Sequence, residues 1–326
     1  MTIYSYARCM VLATTAGLLL TSTSYADNTQ YPERPIQMVV PFSAGGQFDL
    51  IARLVASSMS KSLGKEIIIE NLGGAGGNIG GAKVAKAKPD GYTLLEYGGN
   101  FAVAKYLTKG LRYDPISDFE PIAALSMASH VVLINKDLPV SNFKELVAYS
   151  KKNPGKLNYA SPGVGTSMHL TFEEIKSHFG IRATHIPYRG GSNALNDLAG
   201  GQVQMTIVAV APAMPFIESG QIRALAVTGS ERARSLPEVP TIAEMGYQGF
   251  SSGSWAGLVA PKGTPDAVIT RLHQAAQDAL KDPNVKNRLE SLSFTTLAGS
   301  REDFKKLIKT EEERYGPLIQ RLELQQ

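Results

Sequence analysis

The sequence of 326 residues contains a single cysteine, Cys9. This cysteine lies in an N-terminal segment where Arg8 precedes the apolar run 10–20 and small, polar residues lead to Ala26. The pattern is typical of a secretory signal that is cleaved, and the apolar run is too short to span a bilayer. Cleavage after Ala26 would leave a mature chain with no thiol, which excludes disulfides and cysteine metal ligands. A cysteine-free exported chain indicates the bacterial periplasm rather than a disulfide-rich extracellular module.

The rest of the chain also lacks long apolar runs and blocks of like charge. The net charge is +4, and it falls to +3 if Arg8 is removed with the signal. We therefore expect a soluble mature protein with no nucleic-acid partner. None of the five histidines stands in a zinc-binding spacing such as HExxH, so we expect no metal site.

Glycine is concentrated in the run 71–81 (NLGGAGGNIGG), which invites comparison with nucleotide-binding loops. A dinucleotide fingerprint requires glycines at relative positions 1, 3 and 6, but Ile79 occupies the sixth position after Gly74. No Gly-Lys-Ser/Thr follows, which excludes a P-loop. The run is expected to form a tight turn or a supporting wall of a binding cleft, and no cofactor is expected.

Short apolar segments alternate with segments of helical periodicity along the mature chain, which predicts an α/β fold with parallel strands and helices on both faces. The predicted strands are 36–40, 66–70, 92–97, 130–135, 156–160, 204–208, 223–228 and 255–261. The predicted helices include 48–63, 78–86, 142–152, 167–179, 266–292 and 301–322. About 300 residues is long for one core, so two domains are expected. The chain is predicted to cross between them near 123–129 and again near 246–254.

Two strand–turn–helix corners carry the main functional signal. VVPFSAGGQFDLIA (39–52) and NYASPGVGTSMHLTF (158–172) both end a strand, turn through glycines and begin a helix. A helix N-terminus offers unpaired N–H groups and partial positive charge, and ligands of open α/β sheets bind beyond the carboxyl ends of the strands. The corners would therefore clamp a small carboxylate from two sides, unless they are two unrelated helix starts. A hydrolase built on Ser167 and His169 is disfavoured because no serine stands at the centre of a GxSxG motif.

The motifs PFSAGG (41–46), GAGGNIG (74–80), PDGYTLL (89–95) and LPEVPT (236–241) resemble the Bug family, in order along nearly the whole mature chain. These are periplasmic solute-binding receptors of tripartite tricarboxylate transporters. The resemblance implies a type II periplasmic-binding-protein fold, with two α/β lobes joined by two crossover strands. After the predicted signal at 1–26, we expect a first lobe of 27–127 with 250–326 and a second lobe of 128–249. The lobes would close on a di- or tricarboxylate, an acidic amino acid or an aromatic acid.

The family's site residues can be transferred onto matching positions of this sequence. In the first lobe the ligand loop matches Phe42, Ser43, Ala44, Gly45 and Gly46, and Asp49 would contact the ligand, orient the loop or complement the helix N-terminus. In the second lobe the loop matches Gly163, Gly165, Thr166 and Ser167, and His169 matches a position at the cleft edge. Tyr188 and Arg189 match a further family segment.

One departure from the family concerns the segment after Gly201-Gln202-Val203, where many relatives carry two acidic residues. Gln204 and Val208 occupy those positions here. An ammonium group facing Val208 would be buried without a counter-charge, which costs several kcal/mol. We therefore expect a carboxylate without an amino group, aromatic or aliphatic, rather than aspartate or glutamate.

The resulting functional prediction is a monomeric receptor, not an enzyme, that delivers a small organic carboxylate to membrane permease subunits. A sensor that presents its closed form to a membrane signalling partner is the first alternative. A hydrolase on the same scaffold is the second.

Overall fold

The computed structural model describes residues 31–42, 44–188 and 190–325, so the predicted signal, Cys9, Ser43 and Arg189 lie outside the described residues. Residues Pro32–Gln326 form one compact unit, and the fold below is that of this unit. In the described part of the chain, no helix combines the length and the apolar character needed to cross a membrane.

Helices and strands alternate through most of the chain. The strands are β1 (Ile36–Val40), β2 (Ile67–Asn71), β3 (Thr93–Gly98), β4 (Phe119–Asn135), β5 (Asn158–Ser161), β6 (Thr184–Pro187), β7 (Met205–Ala209), β8 (Ile222–Val227), β9 (Gly253–Pro261) and β10 (Phe294–Thr296). The helices are α1 (Gln47–Leu63), α2 (Asn78–Ala85), α3 (Gly99–Ala102), α4 (Ala104–Leu107), α5 (Phe143–Lys152), α6 (Ser167–Phe179), α7 (Gly191–Ala199), α8 (Val210–Glu218), α9 (Asp266–Lys281), α10 (Pro283–Ser291) and α11 (Arg301–Arg321).

The strands form one continuous sheet in the order β2-β1-β3-β9-β4-β7-β5-β6, with β8 and β10 paired to β4. The 17-residue strand β4 joins the two lobes, because its first part pairs with β9 and its last part pairs with β7 and β8. The parallel pairing predicted from the sequence is confirmed for β1 with β2 and β3, and for β5 with β6 and β7. It is wrong for β4 and β9, which run antiparallel to their neighbours because they carry the chain between the lobes.

Separate apolar cores stabilise the two ends of the sheet. The core of the first lobe is built around the ring of Tyr97, which stacks on Phe101 and Trp255. The second lobe buries one cluster around Tyr159 and Phe172 and another that includes Val131 and Val208. The C-terminal helix α11 contacts both ends, since Tyr315 packs in one cluster with Val103 of the α3–α4 connection and Leu170 of α6. Both lobes thus have their own hydrophobic core.

Gly257 on β9 lies where another side chain already fills the space above the strand. An added Cβ would lie 2.6 Å from Cε2 of Phe304 on α11 and 3.0 Å from the carbonyl oxygen of Ala123. We expect Gly257→Ala to lower the free energy of unfolding by about 1–3 kcal/mol, because a packed ring and a strand must shift. Urea unfolding measures this. Gly299→Ala is the control, since its nearest foreign atom is the end of a flexible carboxylate, Asp303 Oδ2, at 3.3 Å. Equal stability of the two variants would contradict the prediction.

Candidate ligand-binding site

A cavity of about 890 Å³ lies between the two predicted carboxylate loops. The predicted site residues that line it are Phe42, Gly45, Gly46, Gly165, Thr166, Ser167 and Val208. Ala44 and Gly163 belong to the loops without lining the cavity, and Asp49 and His169 are buried. The structure therefore brings both loops to one cavity. The side chains of Asp49 and His169 support the loops instead of lining the cavity.

The first loop connects β1 to α1, and hydrogen bonds to the buried Asp49 carboxylate stabilise it. Gly45 adopts a positive φ of 80°, which favours glycine, and its N–H donates to Asp49 Oδ2 at 2.9 Å. The side chains of Arg53 and Asn71 also donate to the Asp49 carboxylate, and Asn71 Nδ2 donates to the carbonyl oxygen of Phe42. Burial raises the pKa of Asp49, but these hydrogen bonds outweigh it and lower the pKa to about 2. Of the roles predicted for Asp49, the geometry favours orientation of the loop.

The second loop connects β5 to α6 and repeats this arrangement with a histidine. Gly165 has a φ of 73°, and its N–H donates to His169 Nδ1 at 3.0 Å, again four residues along the chain. Thr166 is the N-cap of α6: its hydroxyl accepts from the His169 N–H and donates to the carbonyl oxygen of Gly163. The loop is therefore fixed by its own first helical turn.

His169 was expected at the cleft edge, but it is 1 % exposed and stacks on His185 with ring centroids 3.9 Å apart. Burial, His185 and Lys176 lower the pKa of His169 to about 3, so the imidazole is neutral near pH 7. Because Nδ1 accepts from Gly165, we assign the ring proton to Nε2. The side chain thus orients the loop rather than forming the cavity wall.

Five helices of eight or more residues begin at the wall of the cavity. The lining residues at these N-termini are Gln47 of α1, Asn78 of α2, Ser167 of α6, Gly191 and Ser192 of α7, and Val210 and Ala211 of α8. Each helix start presents N–H groups that the helix does not use, together with the positive end of its dipole. The cavity is therefore suited to a negatively charged ligand.

Among the described residues that line the cavity, none has a charged side chain. Apolar side chains dominate the wall, and the rings of Phe42 and Phe48 stack with centroids 4.5 Å apart at its edge. Val208 lines the wall just before α8, whereas Gln204 lies away from it and its side-chain oxygen accepts from the N–H of Asn158. Of the two positions at which the resemblance implies an acid in relatives, only Val208 is therefore placed to affect a ligand directly.

Several lining residues were missed in the sequence. Ser254 and Trp255 of β9 and the first turns of α7 and α8 contribute to the wall. The segment 255–261 was recognised as a strand, but its side chains gave no indication of the cavity. Tyr188, which matches a family segment, does not line the cavity; its hydroxyl donates to Asp197 in the last turn of α7.

Glu311 of α11 lies behind the cavity wall, next to Gly99 and the Trp255 indole. Burial raises the pKa of Glu311 to about 7, against the opposing effect of the Arg314 charge. A carboxyl whose pKa is raised by folding stabilises the protein below its unfolded pKa and loses this contribution as the pH rises through 7. We expect wild-type stability to fall by up to about 3 kcal/mol between pH 5 and pH 8 relative to Glu311→Gln.

Urea unfolding of both proteins across this pH range measures the Glu311 effect. The unfolding free energy of Glu311→Gln minus that of the wild type should increase from pH 5 to pH 8. A constant difference over the range would contradict the assigned shift.

The topology and the cleft define the class of protein: this is a solute-binding protein with a type II periplasmic-binding-protein fold. Residues 51–324 match the family model for the tripartite tricarboxylate transporter family receptor. A UPF0065 protein of Bordetella pertussis is 39 % identical over 316 residues, which cover 96 % of this chain and 97 % of that protein. The chain belongs to this receptor family, which includes the Bug proteins.

Solved structures give the same result. The periplasmic binding protein BugD is 38 % identical with a TM-score of 0.76, over 90 % of this chain and 99 % of that one. Rpa4515 of R. palustris, described with adipate, is 33 % identical with a TM-score of 0.79, over 89 % and 97 % of the two chains. The resemblance identified in the sequence is thus confirmed.

Proposed function

We propose that this protein is a periplasmic receptor that captures a small organic carboxylate without an amino group and delivers it to a tripartite tricarboxylate-type permease. One observation carries the proposal: five helix N-termini meet at a cavity whose described lining has no charged side chain. Main-chain N–H groups at these termini bind an anion without a cationic partner. The adipate of Rpa4515 supports a carboxylate as the ligand class.

The mechanism of the proposed receptor is closure of the two lobes on the ligand. We infer the lobe boundaries that the sequence predicts, with the second lobe at 128–249; the cavity is lined by one loop of each lobe. A carboxylate held by Gly45–Gly46 and by Gly165–Ser167 bridges the lobes. It stabilises the closed form because it binds that form more tightly than the open one. The protein acts as a monomer that is secreted through the predicted signal.

Turnover is not part of the proposed function. Ser254 in the cavity lies 2.9 Å from His130 Nε2, the distance of a nucleophile and its base. However, burial lowers the pKa of His130 to about 3, and no group in the described chain orients its Nδ1. Such an imidazole is a weak general base. Any acid that binds should be recovered with unchanged mass after prolonged incubation.

The ligand class is tested with matched acids. Mass spectrometry of the natively purified protein identifies a retained ligand, and calorimetry then compares succinate with aspartate and glutarate with glutamate. Each pair differs by one ammonium group, which the wall at Val208 cannot neutralise. We expect the amino-free member of each pair, or adipate, to bind more tightly. Tight binding of aspartate with no response to any simple organic acid would overturn the proposal.

Closure is tested separately by small-angle X-ray scattering. The radius of gyration should decrease when adipate or the retained acid saturates the protein. An unchanged radius at saturation would contradict closure without affecting the ligand class.

A further inference from the structure

A chain of three hydrogen-bonding side chains leads from the strands between the lobes into the cavity. His130 Nε2 of β4 lies 2.9 Å from Ser254 Oγ of β9, and Ser254 Oγ lies 2.7 Å from Ser167 Oγ at the start of α6. Both serines line the cavity, whereas His130 is fully buried. The chain therefore connects a residue remote from the ligand to the first turn of a proposed carboxylate-binding helix.

A serine hydroxyl both donates and accepts, so the two serines alone do not determine the direction of the chain. The imidazole fixes the hydrogen bond at its own end, because a neutral ring has one nitrogen that donates and one that accepts. Burial lowers the pKa of His130 to about 3, which keeps the ring neutral from pH 5 to pH 8. Its single proton must then lie on Nε2 or on Nδ1.

The surroundings of Nδ1 distinguish the two states. This atom is buried and has no hydrogen-bond partner in the described chain. A proton on Nδ1 would bury an unpaired N–H donor, and orphaned donors are rarer in proteins than under-satisfied acceptors. A proton on Nε2 leaves only a lone pair unmatched and allows Nε2 to donate to Ser254.

We propose that His130 carries its proton on Nε2 and thereby orders the chain, so that Ser254 donates to Ser167 and Ser167 donates its hydroxyl proton into the cavity. The inference rests on the proposed function, since it makes Ser167 Oγ a donor to a ligand carboxylate oxygen. The reverse order would direct a Ser167 lone pair at that oxygen. His130 is thus a positioning residue that makes this point of the cavity prefer a hydrogen-bond acceptor of the ligand to a ligand N–H group.

Nitrogen-15 NMR of the full mature protein labelled at histidine reports the tautomer directly, without any ligand. His130→Gln assigns the signal among the five histidines. We expect the Nε2 resonance of a protonated nitrogen and the Nδ1 resonance of an unprotonated one, unchanged between pH 5 and pH 8. A proton on Nδ1, or a charged ring in this range, would overturn the inference.

Binding of adipate measures the consequence for the ligand. His130→Phe removes the donor at a fully buried position. We expect the affinity for adipate to fall about tenfold, because that is roughly the contribution of one hydrogen bond to a charged group. His130→Gln places an amide N–H near the position of Nε2 and should recover most of the loss, which a purely structural role would not predict. Equal losses in both variants, with unfolding midpoints like that of the wild type, would contradict the ordering role.

The two proposals fail in distinguishable ways. If adipate and the other acids do not bind the wild-type protein, the proposed ligand class is wrong while the NMR result still decides the order of the chain. If acids bind and His130 is protonated on Nδ1, the receptor function stands and the inference is wrong.

Discussion

The Val208→Asp variant is expected to bind adipate more than about a hundredfold more weakly than the wild-type protein. Val208 is 1 % exposed and lines the cavity two residues before the start of α8. A carboxylate at this position would face the bound anion in a poorly solvated site, where like charges repel by several kcal/mol. The introduced carboxylate also supplies a counter-charge for the ammonium group of an amino acid, so the affinity for aspartate relative to succinate should increase.

Val208→Asn is the matched control, because asparagine has the shape of aspartate without its charge. Calorimetry with adipate, succinate and aspartate should show a modest loss in this variant and no gain for aspartate. Burial raises the pKa of the introduced acid, so the loss of adipate binding should deepen from pH 5 to pH 8 as the carboxyl ionises. Equal effects of the two substitutions at pH 8 would show that shape rather than charge at position 208 determines the ligand.

The Gly165→Ala variant is expected to fold and to lose closure, with adipate affinity reduced by more than about tenfold. Gly165 has a φ of 73°, which costs a residue with a side chain about 1–2 kcal/mol. Its added Cβ would also lie 2.6 Å from Cδ1 and 2.8 Å from Cδ2 of Leu107 on α4. Since Leu107 belongs to the first lobe and Gly165 to the second, we expect the methyl group to displace the Leu107 side chain and to hinder the approach of the lobes where they meet.

Gly155→Ala separates the steric effect from the backbone strain. Gly155 also lies in the second lobe with a φ of 77°, but an added Cβ there meets no atom within 4 Å. Both variants should lose similar stability in urea unfolding, and only Gly165→Ala should keep the ligand-free radius of gyration when adipate is added. Normal closure of Gly165→Ala would contradict this role of the contact with Leu107.

The sequence predicted the regular elements best where periodicity and capping agree. Helix α6 begins and ends as expected, because Thr166 caps it and the left-handed Gly180 ends it. The crossing between the lobes was predicted near 123–129, but the strand was predicted to begin only at residue 130, since the alanines and serines of the first part of β4 have weak strand propensity. It is a strand because both of its edges are paired, with β9 and β10, which is a tertiary effect that local patterns do not record.

The site was predictable only in part for a similar reason. The glycine corners indicated both loops, since glycine and a helix start leave a local pattern. The roles of Asp49 and His169 could not be predicted from their residue types. In a sequence, a polar side chain that accepts from a loop N–H looks the same as one that contacts a ligand. Trp255 and the starts of α7 and α8 come from distant parts of the sequence and meet only when the sheet is assembled.

The helix starts around the cavity also have an evolutionary consequence. Every residue except proline carries a main-chain N–H, so substitutions along the described wall change its contour and leave these donors in place. The main chain then determines that an anion binds. Side chains such as Val208 and Leu107 determine which anion fits. The set of acids that fit can therefore change through side-chain substitutions at the wall, while the main-chain donors that attract an anion remain.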